Sequence, residues 1–442
     1  MMLNETVKMR ITALSHDGRG IGHIDGKTIF VSGGLVDEEL ICKITKKHRR
    51  YLEADTIEVL TPAVTRVIPP CAHFSICGGC SMQHINPQEQ IALKQKTLIE
   101  QLKHFGNVTP ETILPPIFGE TLGYRRKARL GVRFVIKKDK MLVGFREKFS
   151  NYLADIETCA VLDPRAGTRL IELRNVLRGL TQFMQIPQIE VAMGDDTVAL
   201  IFRIMEDLPE QDLEALRAFG VKHQIHIYLQ PNPPKPLFKL WPLDENYQLN
   251  YLLKDYDLNI QFHPLDFTQV NNDINQKMLR HALTLLDPQP NEQILDLFCG
   301  LGNFTLPIAK FSKKVIGVEG SQTMVERATA NATLNGITNT EFYAANLMDT
   351  FTLPIKSQSP GWLQNQYDKI LLDPPRTGAK EIISVISHFK AKRIVYVSCN
   401  PATLARDAGE LCFTHKYKLK QVGLINMFPH TSHVEAIAVF EK

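Results

Sequence analysis

The strongest constraint on this chain is a pair of apolar strands with polar ends near its C-terminus. The stretch from Tyr367 to Asp407 reads Y-D-K-I-L-L-D-P-P-R-T-G, then a helical interval, then R-I-V-Y-V-S-C-N-P-A-T-L-A-R-D. Lys369–Leu372 and Arg393–Val397 read as buried strands. The first delivers Asp373-Pro374-Pro375-Arg376, and the second delivers Ser398-Cys399-Asn400-Pro401. In an open parallel sheet, ligands bind in the crevice beyond the carboxyl ends of the strands. Cys399 therefore reads as a nucleophile facing that crevice. From about residue 264 onward strands and helices alternate. The pattern predicts an α/β, Rossmann-like, doubly wound domain over 263–442.

A second site element lies upstream in the same domain. Gln293 to Thr305, Q-I-L-D-L-F-C-G-L-G-N-F-T, reads as strand, glycine loop and helix start. A dinucleotide fingerprint would place Gly or Ala where Thr305 stands. The loop also carries Asn303 where the backbone should approach its ligand. It fits S-adenosyl-L-methionine better than a pyrophosphate, because that donor has no phosphate to cradle. Glu319 ends the next strand, Val315–Val318, and is placed to accept both ribose hydroxyls. Asn346, after the strand Glu341–Ala344, falls where the adenine edge would lie. Each residue alone suits a packing or turn role; their order at successive strand ends points to a donor site.

The N-terminal part has another character. Residues 1–61 carry short strand-like runs (Val7–Ile11, Thr28–Val31, Leu40–Ile44, Glu53–Val59) separated by glycine turns. They predict a small OB-like β-barrel. Its basic run, Lys43 to Arg50, ends in Tyr51; such a hairpin is either a solvated face or a surface for phosphates and stacked bases. This segment resembles the TRAM domain, an RNA-binding barrel.

Residues 62–262 read as a central α+β domain with an iron–sulfur loop. Cys71, Cys77 and Cys80 stand in C-x5-C-x2-C spacing, with Cys159 as the best fourth thiol. Four-cysteine zinc sites usually use two C-x2-C pairs. A tight triplet plus one distant cysteine suits a cubane cluster, with zinc as the chemical alternative. Helices are expected at Pro87–Phe105 and Pro164–Gln182. The basic stretch Gly123–Phe134 reads as a strand, either phosphate-facing or simply exposed. A proline-rich break, Pro231–Pro236, and further strands over 237–262 precede the last domain.

Bulk properties exclude little. Lys+Arg 51 against Asp+Glu 47 gives net +4, too mild to indicate nucleic acid by itself. No signal-like N-terminus and no bilayer-long apolar run is present, so a cytoplasmic protein without membrane attachment is expected. There the eight cysteines should be metal-binding, catalytic or buried.

A thiolate at Cys399 suits one reaction in particular. Uracil C5 is a poor nucleophile until a thiolate adds to C6, and a base must later remove the C5 proton. The candidate base is Glu435, the carboxylate beside an apolar terminal strand; its plain alternative is a surface glutamate on a sheet edge. D-F-T-Q-V-N (266–271), D-L-F-C-G-L-G-N-F (296–304), L-D-P-P-R-T-G (372–378), the Cys399 motif (397–407) and H-V-E (433–435) together resemble the RNA uracil-5-methyltransferase family. With barrel and cysteine triplet, the resemblance is to members acting on bacterial 23S ribosomal RNA. It implies Cys399 as nucleophile and Glu435 as base. It implies Gln269, Phe298, Asn303, Glu319, Asn346 and Asp373 at the donor and uracil site. It also implies a 4Fe-4S cluster on Cys71, Cys77, Cys80 and Cys159, and a helix 87–105 that can pack on the catalytic domain. It gives no sign of an obligate protein partner. Transfer RNA members of the family are expected to resemble the C-terminal part alone. A catalytically decayed RNA-binding iron–sulfur protein is a rival that intact Cys399 and Glu435 speak against. A nicotinamide oxidoreductase is disfavoured by Thr305.

Overall fold

The computed structural model describes residues 2–233, 235–244, 247–349 and 359–442. Pro234 of the proline-rich break, and residues 245 and 246 of the segment read as further strands, lie outside them. The chain forms two compact units. Unit 1 comprises residues up to Thr97 with Phe145–Ala154 and Phe428–His433; unit 2 comprises Leu98–Gly144, Asp155–Met427 and Val434–Lys442.

Unit 1 contains a six-stranded sheet of β1 (Thr6–Arg10), β2 (Ala13–Leu14), β3 (Gly20–Ile24), β4 (Lys27–Ser32), β5 (Glu39–Lys47) and β6 (Tyr51–Thr61). Its order is β1-β5-β6-β4-β3-β2. Alternation along the strands sends Met9, Ile29, Val31, Leu40, Cys42, Ile44, Leu52 and Ala54 into one core. The β5–β6 ladder slips register at three places, and such bulges bend a long pair around a core. The basic run forms the tip of that hairpin, where the His48 ring stacks on Tyr51 at 4.3 Å. Cys42 is buried in the core.

Glu38 ties the barrel to the chain that follows. It is completely buried and accepts from the Leu35 and Ala63 amides and from the Arg66 guanidinium, at 2.8, 3.1 and 2.7 Å. The segment 428–433 also belongs to this unit. The His430 carbonyl accepts from the Ser81 and Met82 amides, and the Gln90 carboxamide accepts from the His430 amide.

The helix Pro87–Phe105 has the span read from sequence. Its last residues are counted in unit 2, where Leu98 and Leu102 are buried. Gly106, just beyond, lies so close to the helix Pro401–Phe413 that a Cβ there would stand 2.3 Å from the Ala405 carbonyl oxygen.

Unit 2 begins with β7 (Thr112–Ile113) and then builds a mixed sheet from β8 (Lys127–Val135), β9 (Lys140–Gly144), β10 (Gln188–Met193), β11 (Val198–Arg203), β12 (Ile225–Gln230) and β13 (Phe238–Trp241), ordered β13-β12-β11-β10-β8-β9. The basic stretch is indeed a strand, but several of its cations are engaged internally. Arg126 pairs with Asp195 at 2.5 Å and Arg129 with Glu190 at 2.9 Å. Lys127 donates to the carbonyls of Pro264 and Asp266. Part of the expected phosphate-facing side is thus a clamp on the segment leading to Gln269. The expected helix 164–182 is interrupted, with Pro164–Gly167 followed by Leu170–Gly179.

After the hairpin β14 (Leu249–Leu253) and β15 (Leu258–Phe262) comes the second sheet. It uses β16 (Gln293–Leu297), β17 (Lys314–Glu319), β18 (Thr340–Ala344), β19 (Lys369–Leu372), β20 (Arg393–Ser398), β21 (Lys418–Ile425) and β22 (Glu435–Glu441), ordered β18-β17-β16-β19-β20-β22-β21-β7. The strands β16 to β20 run parallel and β22 is antiparallel to both its neighbours. Strand order reverses between β16 and β19, where a doubly wound sheet opens its crevice.

Glu38 generates a test of the barrel. Removing one partner of a buried ion pair costs about 3–5 kcal/mol; Arg66 keeps some solvent access, so Glu38→Ala should cost ~3 kcal/mol. Urea unfolding followed by a probe in unit 1 measures it. A change within experimental error would show that the pair contributes nothing net.

Candidate active site

Register places the site residues along one edge of the second sheet. Leu297 pairs with Val318 and with Leu372, and Leu372 pairs with Tyr396. Ser398 pairs with Ala436. One step beyond these pairs, at the carboxyl ends, stand Phe298, Glu319, Asp373 and Cys399, with Glu435 beside Cys399 on the antiparallel strand. Asn346 lies two residues past the end of β18. The expected residues from six strands therefore share one edge.

Glu435 is the residue for which the structure changes the argument most. It is not on a sheet edge: β22 is flanked by β20 and β21, and Glu435 is 7% exposed. A carboxylate is seldom buried without reason. It lies close enough to Cys399 for its charge to act on the thiol. The Cys399 thiol is pushed up to about 11 by burial, with Glu435 and Asp373 adding to the effect and the Arg376 guanidinium opposing it. At neutral pH the thiol is thus held protonated, chiefly by burial and further by the neighbouring carboxylates.

The turn that carries Cys399 is rigidly built. Ser398 Oγ donates to the Asn400 carbonyl, and Asn400 caps the helix Pro401–Phe413 by accepting from the Ala402 amide at 3.1 Å. Asn400 Nδ2 also donates to the Arg376 carbonyl at 3.0 Å. Asp407, fully buried, accepts from the Ala379 amide, the Tyr396 hydroxyl and the Arg406 guanidinium. It joins the loop after β19 to the helix after β20. Gly378 sits beside it at φ +81, where a Cβ would stand 2.5 Å from the Arg406 guanidinium. Only glycine fits that position without displacement.

The glycine loop is organised around Asp296, which sequence reasoning passed over. Asp296 is fully buried, accepts from Thr305 Oγ1 at 2.5 Å, and its Oδ1 has no hydrogen-bond partner among the described residues. Burial pushes its carboxyl up to about 8, with Asp373 and Glu319 contributing. Burial alone lifts Asp373 to about 7. Thr305 is therefore not merely a departure from the dinucleotide pattern but the partner of this acid. The signal was present: Asp296 is the one charged residue inside an apolar strand. Phe298 adopts φ +66, a conformation unusual for a bulky side chain, and its amide donates to the Val318 carbonyl.

Other expected donor residues are engaged with the protein. Glu319 accepts from the amides of Gly300, Gly320 and Ser321. Asn303 exchanges hydrogen bonds with Asn275 and accepts from the Tyr251 hydroxyl at 3.0 Å. Its carboxamide here anchors the loop. Asn346 closes a local turn with Met348 and Asp349. Gln269 is half-buried in the segment clamped by β8. Cys299 is buried in the loop, and Cys412 is half-buried.

The cysteine triplet lies in unit 1 and Cys159 in unit 2. The Cys71 amide donates to Gln83 Oε1, while Cys77 Sγ accepts from the Gly79 amide at 3.4 Å. Burial raises the Cys77 thiol, with the Cys71 thiol adding and the Lys148 ammonium opposing. Among the described residues, however, no three His, Cys, Asp or Glu side chains are arranged so as to hold a metal ion. The cysteine arrangement as it stands does not make a closed cluster site. Among the same residues no helix is long and apolar enough to cross a membrane.

Comparison with known proteins agrees with this geometry. The pattern of the tRNA (Uracil-5-)-methyltransferase family matches residues 88–442, and that of the TRAM domain matches residues 1–57. A protein of Hahella chejuensis named 23S rRNA (uracil(1939)-C(5))-methyltransferase RlmD is 53% identical over 438 residues, covering 99% of this chain and 98% of its own. Its namesake in Alcanivorax borkumensis is 49% identical over 98% of this chain and 96% of its own. Among solved structures, the Pyrococcus abyssi tRNA (uracil-54, C5)-methyltransferase in complex with S-adenosyl-L-homocysteine shares the fold. It matches with TM-score 0.72 at 24% identity, over 98% of this chain and 100% of its own. That coverage corrects one expectation: a transfer RNA enzyme matches along nearly the whole chain, so the N-terminal part does not separate the two substrate classes.

The Cys399 environment generates a second test. Iodoacetamide reacts with the thiolate, so alkylation of Cys399 should quicken about tenfold per pH unit between pH 7 and 9.5. Glu435→Gln removes a neighbouring negative charge and should speed the reaction at pH 8. Peptide mapping by mass spectrometry separates Cys399 from the other thiols; a rate that levels off near pH 8 would contradict the raised thiol.

Proposed function

The chain belongs to the tRNA (uracil-5-)-methyltransferase family, and from that premise we propose that it methylates C5 of a uridine in 23S ribosomal RNA, with S-adenosyl-L-methionine as donor. It is an RNA uracil C5-methyltransferase; the ribosomal substrate is inferred from the names of relatives near 50% identity over almost their full length. The single observation that carries the chemistry is the buried Glu435 beside the Cys399 thiol at the carboxyl edge of the sheet.

In this reading the Cys399 thiolate adds to C6 of the uracil, and the electron pair moves toward C5 and O4. C5 then takes the methyl group. Glu435 removes the C5 proton, the C5–C6 double bond re-forms, and the thiolate leaves. Gln269, Phe298, Asn303, Glu319, Asn346 and Asp373 form the donor and uracil site, and Asp296 joins them from beneath. A cationic donor suits an edge so rich in carboxylates. Residues 1–61 grip RNA, 62–262 carry the cysteine loop, and 263–442 perform the transfer.

We further infer a 4Fe-4S cluster on Cys71, Cys77, Cys80 and Cys159. Its support is the C-x5-C-x2-C spacing. Protein purified without oxygen should contain about four irons and four acid-labile sulfides per chain. Stoichiometric zinc without sulfide would favour a different metal, and Cys159→Ser should lose the cluster while Cys42→Ser keeps it.

The two catalytic roles separate by step. Cys399→Ala should give neither methylated RNA nor a covalent complex, even with 5-fluorouridine RNA. Glu435→Gln should transfer the methyl group and then stall as a denaturant-stable protein–RNA band carrying donor label. Loss of a positioned base slows its step by about a hundredfold to ten-thousandfold, enough to trap that species. Release of methylated RNA by Glu435→Gln at the parent rate would remove Glu435 from the mechanism.

A further inference from the structure

Unit 1 holds a cavity of about 510 Å³ that the catalytic chemistry does not use. Its volume is in the range that takes a small molecule or one nucleotide. Four segments line it: the Gly18 turn of the barrel, Ser32 and Gly33 at the end of β4, Phe74 and residues 78–81 of the cysteine loop with Cys80 among them, and the residues Phe145–Ser150. None of the lining residues belongs to the Cys399 site.

The lining is cationic and aromatic. Arg19, Arg146 and Lys148 contribute positive charge, against Asp17 and Glu147. Asp17 is already paired with Arg19 at 2.8 Å, and Glu147 accepts from Ser150 Oγ. The Lys148 ammonium lies 3.7 Å from the centre of the Phe74 ring, and Lys46, from the basic hairpin, lies over Phe149 at 5.9 Å. Phe149 is 60% exposed at φ +57. A bulky residue seldom adopts that backbone, and holding an aromatic ring in water is unfavourable as well. The tip is nevertheless fixed, by the Glu147 amide donating to the Tyr152 carbonyl and the Tyr152 amide to Ser150 Oγ. Strain together with an exposed ring, in the midst of cations, is a combination that points to a ligand. Exposed aromatic faces flanked by cations are how single-stranded nucleic acid is held without base pairing.

We propose that this cavity takes one unpaired nucleotide of the RNA substrate, other than the reacting uridine. Its base stacks on Phe149 and its phosphate is met by Arg146 and Lys148. The inference rests on the chain acting on RNA, and it adds a recognition point that the reaction itself does not need.

The test uses the full-length protein and a 23S ribosomal RNA fragment containing the methylated loop. Binding is measured by equilibrium titration and methylation is scored separately. Phe149→Ala should weaken RNA binding by about fivefold to a hundredfold and leave its salt dependence unchanged. Phe149→Trp should restore affinity, and Phe149→Leu should not, since only a ring can stack. Arg146→Ala should weaken binding and flatten the salt dependence by about 0.7 in slope, the loss of one phosphate contact to a single strand. Methylation at saturating RNA and donor affinity should stay at parent values in all these variants. Parent-like RNA affinity in both Phe149→Ala and Arg146→Ala overturns the proposal. Equal rescue by leucine and tryptophan overturns it too, because it would mark Phe149 as a packing residue. A parent protein that binds the RNA without methylating it would instead count against the catalytic reading.

Discussion

The antiparallel insertion of β22 between β20 and β21 is the constraint on which the rest depends. A thiol at the end of a parallel strand needs a carboxylate within reach, yet parallel neighbours end on the same side and bring only their own tips. A strand entering from the opposite direction starts where the others finish. Its first residue, Glu435, then stands beside Cys399 and is buried there by its neighbours on both sides. The proximity follows from strand direction and does not require a long loop to fold back.

Burial at this edge sets protonation as well as position. Asp296, Asp373 and Cys399 are all raised, each first by loss of water. Two carboxyls that would be charged in solution, Asp296 and Asp373, are instead close to their titration points near neutrality, and the thiol is held more firmly protonated. Such groups respond to a positive ligand, which restores their charged forms. The supporting contacts sit one layer away: Asp407 and Asn400 fix the two loops against each other, and Asn303 pins the glycine loop to the helix Asn272–Leu286.

Much of this was legible in the sequence because strand ends carry composition signals. The strand Lys369–Leu372 and the helix Pro87–Phe105 appear with the bounds that apolar periodicity suggested. The placement of Glu319, Asn346, Asp373 and Cys399 at successive strand ends followed from strand–helix alternation, whereas Phe298 entered only through the resemblance. Glu435 needed the resemblance, since a lone carboxylate next to an apolar strand looks the same on an edge as in the interior. Asp296 was passed over although it is the charged residue of the apolar strand β16, because its partner Thr305 was read only as a departure from the dinucleotide pattern. The basic strand was misjudged in part for the opposite reason. Positive charge reads the same whether it meets phosphate or, as at Arg126 and Lys127, a carboxylate and two carbonyls of the same chain. The placement of the 145–150 tip beside the barrel turn leaves no local signature at all, because it brings together residues far apart in sequence.

The membership of residues 428–433 in unit 1 has a consequence for the order in which the protein can be made. Translation delivers the barrel first and the His430 carbonyl almost last. Until then the amides of Ser81 and Met82 lack their partner, and Gln90 lacks the amide it caps. A nascent chain therefore emerges with its cysteine segment unfinished and waits for its own tail. Premature termination would remove more than Glu435: it would leave the N-terminal fold open at the loop that precedes the long helix.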